Sequence, residues 1–265
     1  MRPWCYDGLM TYDVHFSAFN GTNYCALTVS STIDPDARRF NWRREEGREI
    51  LNLDQDDLLV FSMPVYGGFI PSLCVPLVSS FLTGHDTPAV VIATYGNRAY
   101  DNALAQMQEL LEARGFHVIA AGAFVCRHSI FSTVASKRPD EADRAALVAF
   151  GEHVRSMEKH SGSHLALPRK DASGPESFKG VSFHPDGRGN LCTGCGSCAA
   201  FCTTLAIDPT HPWDTDADKC IACGACIRVC PAKARDYHCQ GFVEARRAFE
   251  AKNGERKADE TWFLD

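Results

Sequence analysis

The sequence predicts an α/β protein in which an open, doubly wound parallel sheet precedes a smaller cysteine-rich α+β module. Two observations carry this. From residue 12 to about 159, short apolar runs alternate with helix-patterned segments, the rhythm expected of a sheet covered on both faces. Between residues 192 and 231 one cysteine spacing, C-x2-C-x2-C-x3-C, occurs twice. A chain of 265 residues exceeds one ordinary domain, so the compact module leaves room for a larger core.

Taken in order, Tyr12–Ser17 reads as a strand, followed by a polar loop and a helix from Thr22 to Ser31. The loop Ser17, Ala18, Phe19, Asn20, Gly21, Thr22 places hydroxyls at both ends of a helix N-terminus, where free backbone N–H groups attract an anion such as phosphate. An ordinary capped helix start accounts for the same residues equally well. Ile50–Leu53 is expected as an edge strand and Leu58–Met63 as a buried one, leading into the loop Pro64, Val65, Tyr66, Gly67, Gly68 and a helix over 71–82. Ala89–Ala93 is the next strand, with the loop Thr94, Tyr95, Gly96, Asn97, Arg98 and an amphipathic helix from Asp101 to Arg114, stopped by Gly115. Val118–Val125 and a helix from Pro139 to about Lys159 complete the series. In such sheets ligands bind beyond the carboxyl ends of the strands, so the loops beginning at Ser17, Pro64 and Thr94 are expected to converge. No G-x-G-x-x-G follows the first strand, which argues against a dinucleotide.

The repeats comprise Cys192, Cys195, Cys198, Cys202 and Cys220, Cys223, Cys226, Cys230. Three cysteines two residues apart wrap one corner of a cubane, and the fourth cysteine of each run ligates the other cluster. The expected sets for two [4Fe-4S] clusters are therefore Cys192, Cys195, Cys198 with Cys230, and Cys220, Cys223, Cys226 with Cys202. Gly194 and Gly224 permit the tight turns. Pro231 follows Cys230, whereas Thr203 stands at the matching position after Cys202. Zinc knots favour separated cysteine pairs, and disulfide frameworks favour short secreted chains. Of the 13 cysteines, Cys5, Cys25, Cys74, Cys126 and Cys239 remain and read as small buried hydrophobes or ordinary thiols.

The formal charge of −6 disfavours nucleic acid or an anionic membrane as partner. Thiolates and oxidised cluster cores would bring it to roughly −10, which suits a basic patch on a redox partner protein or small electron carrier. With neither an apolar leader nor a membrane-length apolar run, a cytoplasmic location is expected, and homo-oligomerisation is left open. The expected divisions are a sheet domain at 1–160, a Gly/Ser/Pro-rich linker at 161–184 whose Phe178, Val181 and Phe183 could clamp it, a cluster domain at 185–240, and a C-terminal helix and tail at 241–265. The apolar Thr261–Leu264 is expected to dock on the protein itself.

FSAFNGTN after the first strand, FSMPVYGGFIPS, ATYGNRAYDNAL and both cysteine repeats together resemble the EFR1-type flavodoxin–ferredoxin fusion family over nearly the full chain. The resemblance implies a flavodoxin-like five-stranded parallel sheet of order 2-1-3-4-5 with a bacterial 2[4Fe-4S] ferredoxin-like domain. It also implies FMN, with its phosphate in the 17–22 loop and its ring between the 64–68 and 94–98 loops, where Tyr66 and Tyr95 are aromatic neighbours. Flavodoxins favour S/T-x-T-G-x-T, and Phe19 and Asn20 depart from that pattern. The implied function is electron transfer among the clusters, FMN and a partner protein or small acceptor, and the alternative is a flavin-free docking subunit. No residue reads as a nucleophile or general base: Arg98, Asp101 and His128 are expected as solvent-facing polar residues near loop ends.

Overall fold

The computed structural model describes residues 10–157, 164–170 and 183–264. Phe178 and Val181 of the expected clamp, and Cys5, lie outside them. The chain runs β1 (Thr11–His15), α1 (Gly21–Ile33), β2 (Arg38–Asn41), β3 (Leu51–Leu53), β4 (Leu58–Pro64), α2 (Val75–Phe81), β5 (Leu82–Gly84), β6 (Thr87–Tyr95), α3 (Ala103–Glu112), β7 (Phe116–Val125) and α4 (Glu141–Ser156). It continues through β8 (Asp186–Gly187), α5 (Ser197–Ala200), α6 (Ala225–Val229), β9 (Arg235–Asp236), α7 (Phe242–Asn253) and β10 (Glu260–Phe263).

The main sheet has the order β10-β7-β6-β4-β1-β2. Five strands, β2-β1-β4-β6-β7, are parallel and give the flavodoxin-like order 2-1-3-4-5. The central strands β4 and β6 are buried almost throughout, as continuous apolar runs between two helical layers should be. One core packs Phe16, Trp42, Phe61, Met63 and Leu104 on one face. The other packs Val60, Ile92, Phe124 and Phe150 under α1 and α4. α4 begins at a capping box in which Asp140 accepts from the backbone of Ala142 and Asp143.

The second strand corrects the sequence reading. It is Arg38–Asn41, whereas Leu51–Leu53 pairs with Leu82–Gly84 in a separate two-stranded sheet. An edge strand needs only one buried side chain, and Phe40 supplies it amid charge, so the segment carries no apolar run to recognise. The other departure is β10. Trp262 and Phe263 pair antiparallel with Ala121 and Ala120, so the apolar tail docks as a sixth strand. Arg138 ties this segment down, donating to Asp143 Oδ2 at 2.8 Å, to the Lys257 carbonyl at 2.7 Å and to Asp259 at 3.2 Å. Among the described residues no helix is long and apolar enough to cross a membrane.

The two cysteine repeats fold alike. Gly196 (φ 71°) caps α5 and Gly224 (φ 72°) caps α6, and Leu205 (φ 54°) corresponds to Lys233 (φ 51°). In each repeat a following alanine donates to the fourth cysteine, Ala206 N–H to Cys202 Sγ and Ala234 N–H to Cys230 Sγ, both at 3.2 Å. Only glycine adopts such left-handed capping positions without strain, which is why the repeats keep it there.

Candidate functional site

Parallel register aligns the carboxyl ends of β1, β4, β6 and β7, with His15 beside Ser62, Pro64 beside Thr94 and Tyr95 beside Val125. The three loops foreseen from the sequence therefore meet. Ala18, Phe19, Gly21, Thr22, Pro64, Val65, Tyr66, Thr94, Tyr95 and Gly96 share a cavity of about 50 Å³ with Cys126, Arg127 and Ser129. A second cavity of about 180 Å³ adjoins it, lined by Tyr66, Gly67, Gly68, Arg98, His128 and Phe249 among others. Ile221 and Ala222 of the second cysteine repeat also line it.

At the 17–22 loop the chain offers an anion cradle. Asn20 takes a left-handed conformation (φ 73°), which asparagine tolerates, so its presence at a glycine position is explained. Among the described residues the backbone N–H groups from Ser17 to Thr22 donate to no protein acceptor. Ser17 Oγ instead accepts from the Asn23 backbone at 3.0 Å, and Thr22 Oγ1 shares a 2.7 Å hydrogen bond with Thr94 Oγ1. A buried polar chain supports the loop from below. Ser30 donates to Asp13 at 2.9 Å, His15 Nδ1 lies 2.9 Å from Asp13, and His15 Nε2 lies 3.1 Å from Asn23. In β1, Asp13 and His15 alternate with Tyr12 and Val14, and both are buried.

Several foreseen residues have duties other than ring contact. Phe19 faces the second cysteine repeat: Arg228 lies over its ring at 5.3 Å and donates to its carbonyl at 3.2 Å. Tyr95 is 3% exposed and packs edge-on against Tyr100. Burial pushes its hydroxyl up to about 12. Asn97, at φ 62°, donates to the carbonyls of Asn253 (2.6 Å) and Glu255 (2.7 Å), so its side chain clamps the C-terminal segment. Arg98 pairs with Asp101, which also pairs with Lys170 at 3.1 Å. Tyr66 remains half-buried in both cavities, its hydroxyl pushed well above the usual phenol range by burial, with the neighbouring Cys223 thiol adding to it.

His128 corrects the expectation of a solvent-facing residue. Its Nδ1 accepts from the backbone N–H groups of Ile130 and Phe131, both at 3.1 Å, and its ring meets Phe249 edge-on at 4.7 Å. Burial, with the charge of Arg98 adding, pushes the imidazole down to about 4. A neutral ring with Nδ1 as acceptor carries its proton on Nε2, and His128 is one of the residues lining the cavity that Ile221 and Ala222 of the second repeat also line. A close juxtaposition the sequence could not show is that of Cys25 and Cys126, whose sulfurs lie 3.6 Å apart.

The cysteine repeats dock on this crevice. A Cβ on Gly224 would stand 2.9 Å from the Ser129 carbonyl and 3.4 Å from the Phe19 ring. Arg43 lies 4.6 Å over the Phe201 ring. Phe131, Phe183, Tyr237, Phe242 and Phe249 form an aromatic cluster spanning the loop after β7, the β9 segment and α7. Within the repeats, Cys202 packs against the buried cluster of Cys198, Ile207 and Cys226. Burial pushes the Cys223 thiol up to about 12 and that of Cys226 up to about 11.

Residues 191–234 match the family described as a 4Fe-4S dicluster domain. No curated protein gives a significant match. Solved structures similar to the first part include a flavodoxin from the domain Archaea, at 11% identity and TM-score 0.39, covering 56% of this chain and 96% of that one. They also include an NADH:FMN oxidoreductase in its apo form, at 15% identity and TM-score 0.41, covering 56% and 88%. A flavodoxin from Streptococcus pneumonia TIGR4 is similar at 15% identity and TM-score 0.38, covering 56% and 97%. The strand order of the sheet and the matched cysteine segment together make this chain a fusion of a flavodoxin-like α/β unit with a 4Fe-4S dicluster unit.

Proposed function

We propose that the protein is an electron-transfer iron–sulfur flavoprotein of the EFR1 type, passing electrons between two [4Fe-4S] clusters, FMN and a redox partner protein or small acceptor. The observation that carries this reading is the packing of the second cysteine repeat on the loop crevice, with Gly224 against Ser129 and Phe19, and Ile221 and Ala222 lining the cavity that Tyr66 also lines. The free N–H groups of the 17–22 loop fit a phosphate. Tyr66, Gly67, Gly68, Gly96 and His128 line the place for a flat polar ring. A cubane exchanges one electron, whereas a flavin exchanges one or two and can pass hydride to organic molecules. The chain holds the second ligand set close to the crevice, with Ile221 and Ala222 lining the same cavity as Tyr66 and His128. Crossed ligation follows from the C-x2-C-x2-C-x3-C spacing of both repeats.

A flavin-free docking subunit is favoured by one specific observation: the Ser17 and Thr22 hydroxyls are already engaged and Phe19 faces the repeat. Titrating folded, iron-replete protein with FMN separates the two readings. Saturable fluorescence quenching at micromolar concentration or below is expected, and none would leave only the cluster relay.

A further inference from the structure

Where the second cysteine repeat docks on the sheet unit, the chain leaves a further cavity of about 340 Å³, larger than either cavity of the crevice. Three elements far apart in sequence each bring an arginine to its lining: Arg127 from the loop after β7, Arg228 from α6 and Arg246 from α7. Among the described residues Asp236 is the one acidic group lining it. On a chain whose formal charge is −6, that is a local excess of positive charge.

These charges are fixed and little neutralised. A guanidinium does not shed its proton at any ordinary pH. Arg127 Nε donates to the Ser132 carbonyl at 2.9 Å and Arg228 Nη1 to the Phe19 carbonyl at 3.2 Å, so backbone oxygens orient both groups without cancelling their charge. Among the described residues neither pairs with a carboxylate, and Asp236 accepts from the Tyr237 backbone N–H at 2.8 Å rather than from an arginine. Arg246 has only a loose pairing, its Nε 3.7 Å from Glu250. A concave surface lined by one sign of charge concentrates counter-ions, and guanidinium forks match the oxygens of phosphate and carboxylate.

The size of the space and the rest of its lining narrow the ligand class. A volume of about 340 Å³ falls within the range of small-molecule sites, about 300–1,000 Å³, so a single inorganic oxyanion would leave most of it unfilled. Phe19, Ile130, Ile227 and Phe242 supply apolar wall beside the arginines. We propose that this cavity binds a small organic dianion, a phosphomonoester or dicarboxylate on an aromatic or apolar body, with its oxyanion groups among Arg127, Arg228 and Arg246. The site is distinct from the crevice, since Arg228 and Arg246 line neither of the crevice cavities. It is also adjacent, because Phe19, Arg127 and Ser129 line this cavity and the smaller of those two. A ligand there stands beside Gly224 and Ile227, the sequence neighbours of Cys223 and Cys226. This binding goes beyond the electron-transfer reading and needs neither FMN nor a redox step.

Calorimetric titration of folded, iron-replete protein with phenyl phosphate, phthalate, inorganic phosphate and benzyl alcohol tests it. At least one of the two aryl dianions should bind about tenfold or more tighter than inorganic phosphate, and benzyl alcohol should not bind. Which dianion binds tighter distinguishes a phosphate from a carboxylate ligand. In Arg246→Met the affinity should fall about tenfold, with Arg246→Lys in between. Arg127→Met should weaken binding likewise; if that variant fails to hold iron, Arg246→Met decides. The dianion should bind as tightly when FMN is present in excess. Displacement by FMN would assign the cavity to the flavin's own phosphate and overturn the proposal. Binding of neither aryl dianion, inorganic phosphate binding as tightly as they do, or unchanged affinity in Arg246→Met would overturn it too. Should FMN itself fail to bind, the titration reads the same, so the flavin reading and this one fail separately.

Discussion

The carbonyl oxygen of Ser129 lies 2.9 Å from where a Cβ on Gly224 would stand, so the second cysteine repeat and the loop after β7 meet nearly backbone to backbone. Gly196 holds the equivalent place in the first repeat with almost the same φ and nothing within 4 Å. The pair separates strain from docking. Both alanine variants incur about 1–2 kcal/mol for a left-handed residue. Only Gly224→Ala should also force the two surfaces apart. After flash reduction of the clusters, reduction of the flavin should slow about tenfold or more in Gly224→Ala at unchanged iron content, and little in Gly196→Ala. Equal slowing in both would dismiss the contact as the electron route.

Crossed ligation predicts a cross-over of damage. Cys202→Ala should impair the cluster of Cys220, Cys223 and Cys226, while Cys230→Ala should impair that of Cys192, Cys195 and Cys198. Paramagnetic spectra of the reduced variants, compared with replacements in each cysteine triplet, identify the survivor. Both native signals persisting in both variants would refute the assignment.

His128 predicts a pH dependence with a definite sign. Its folded pKa is pushed down to about 4, below the ordinary histidine value of about 6.5, so the unfolded chain binds the proton more readily between them. Stability is therefore full above about 6.5 and is lost as pH falls toward 4, by up to about 3 kcal/mol in the limiting case. Denaturant melts of the wild type and His128→Gln between pH 7 and 5 should show a shallower loss in the variant. Parallel curves would show that His128 is not the titrating group.

Asn97 clamps the segment leading into β10 through the carbonyls of Asn253 and Glu255. Asn97→Gly keeps the left-handed backbone but removes the clamp, and should destabilise the chain by about 1–3 kcal/mol. Hydrogen exchange should quicken along β10 and β7 and stay slow in β1 and β4. A uniform change across the sheet would mean that the asparagine serves global stability instead.

How much of this was legible follows from what each residue has to do. Leu58–Met63 is buried on both faces, so its pattern announces a central strand, and the cysteine spacing announces its chemistry because ligand geometry tolerates little else. Arg38–Asn41 needs one buried ring and is silent. The loops at 17–22, 64–68 and 94–98 were readable as a converging set, because parallel strands place their ends together. The duties of single side chains within them were not. Phe19 looks like a defect in a phosphate loop until Arg228 is seen above its ring. Asn97 reads as a ring neighbour until the segment it holds arrives from the far end of the chain, and His128 reads as a surface residue until α7 covers it.

β10 also bears on how the molecule is made. The edge of β7 is closed by residues that follow both cysteine repeats in sequence, so a nascent chain exposes that edge until the whole cluster-binding segment has left the ribosome. An unpaired strand edge invites association with other chains. Synthesis and closure are thereby ordered: the edge of β7 is covered along Ala120–Ala123 by the four-residue β10 only after the metal-binding segment has been made.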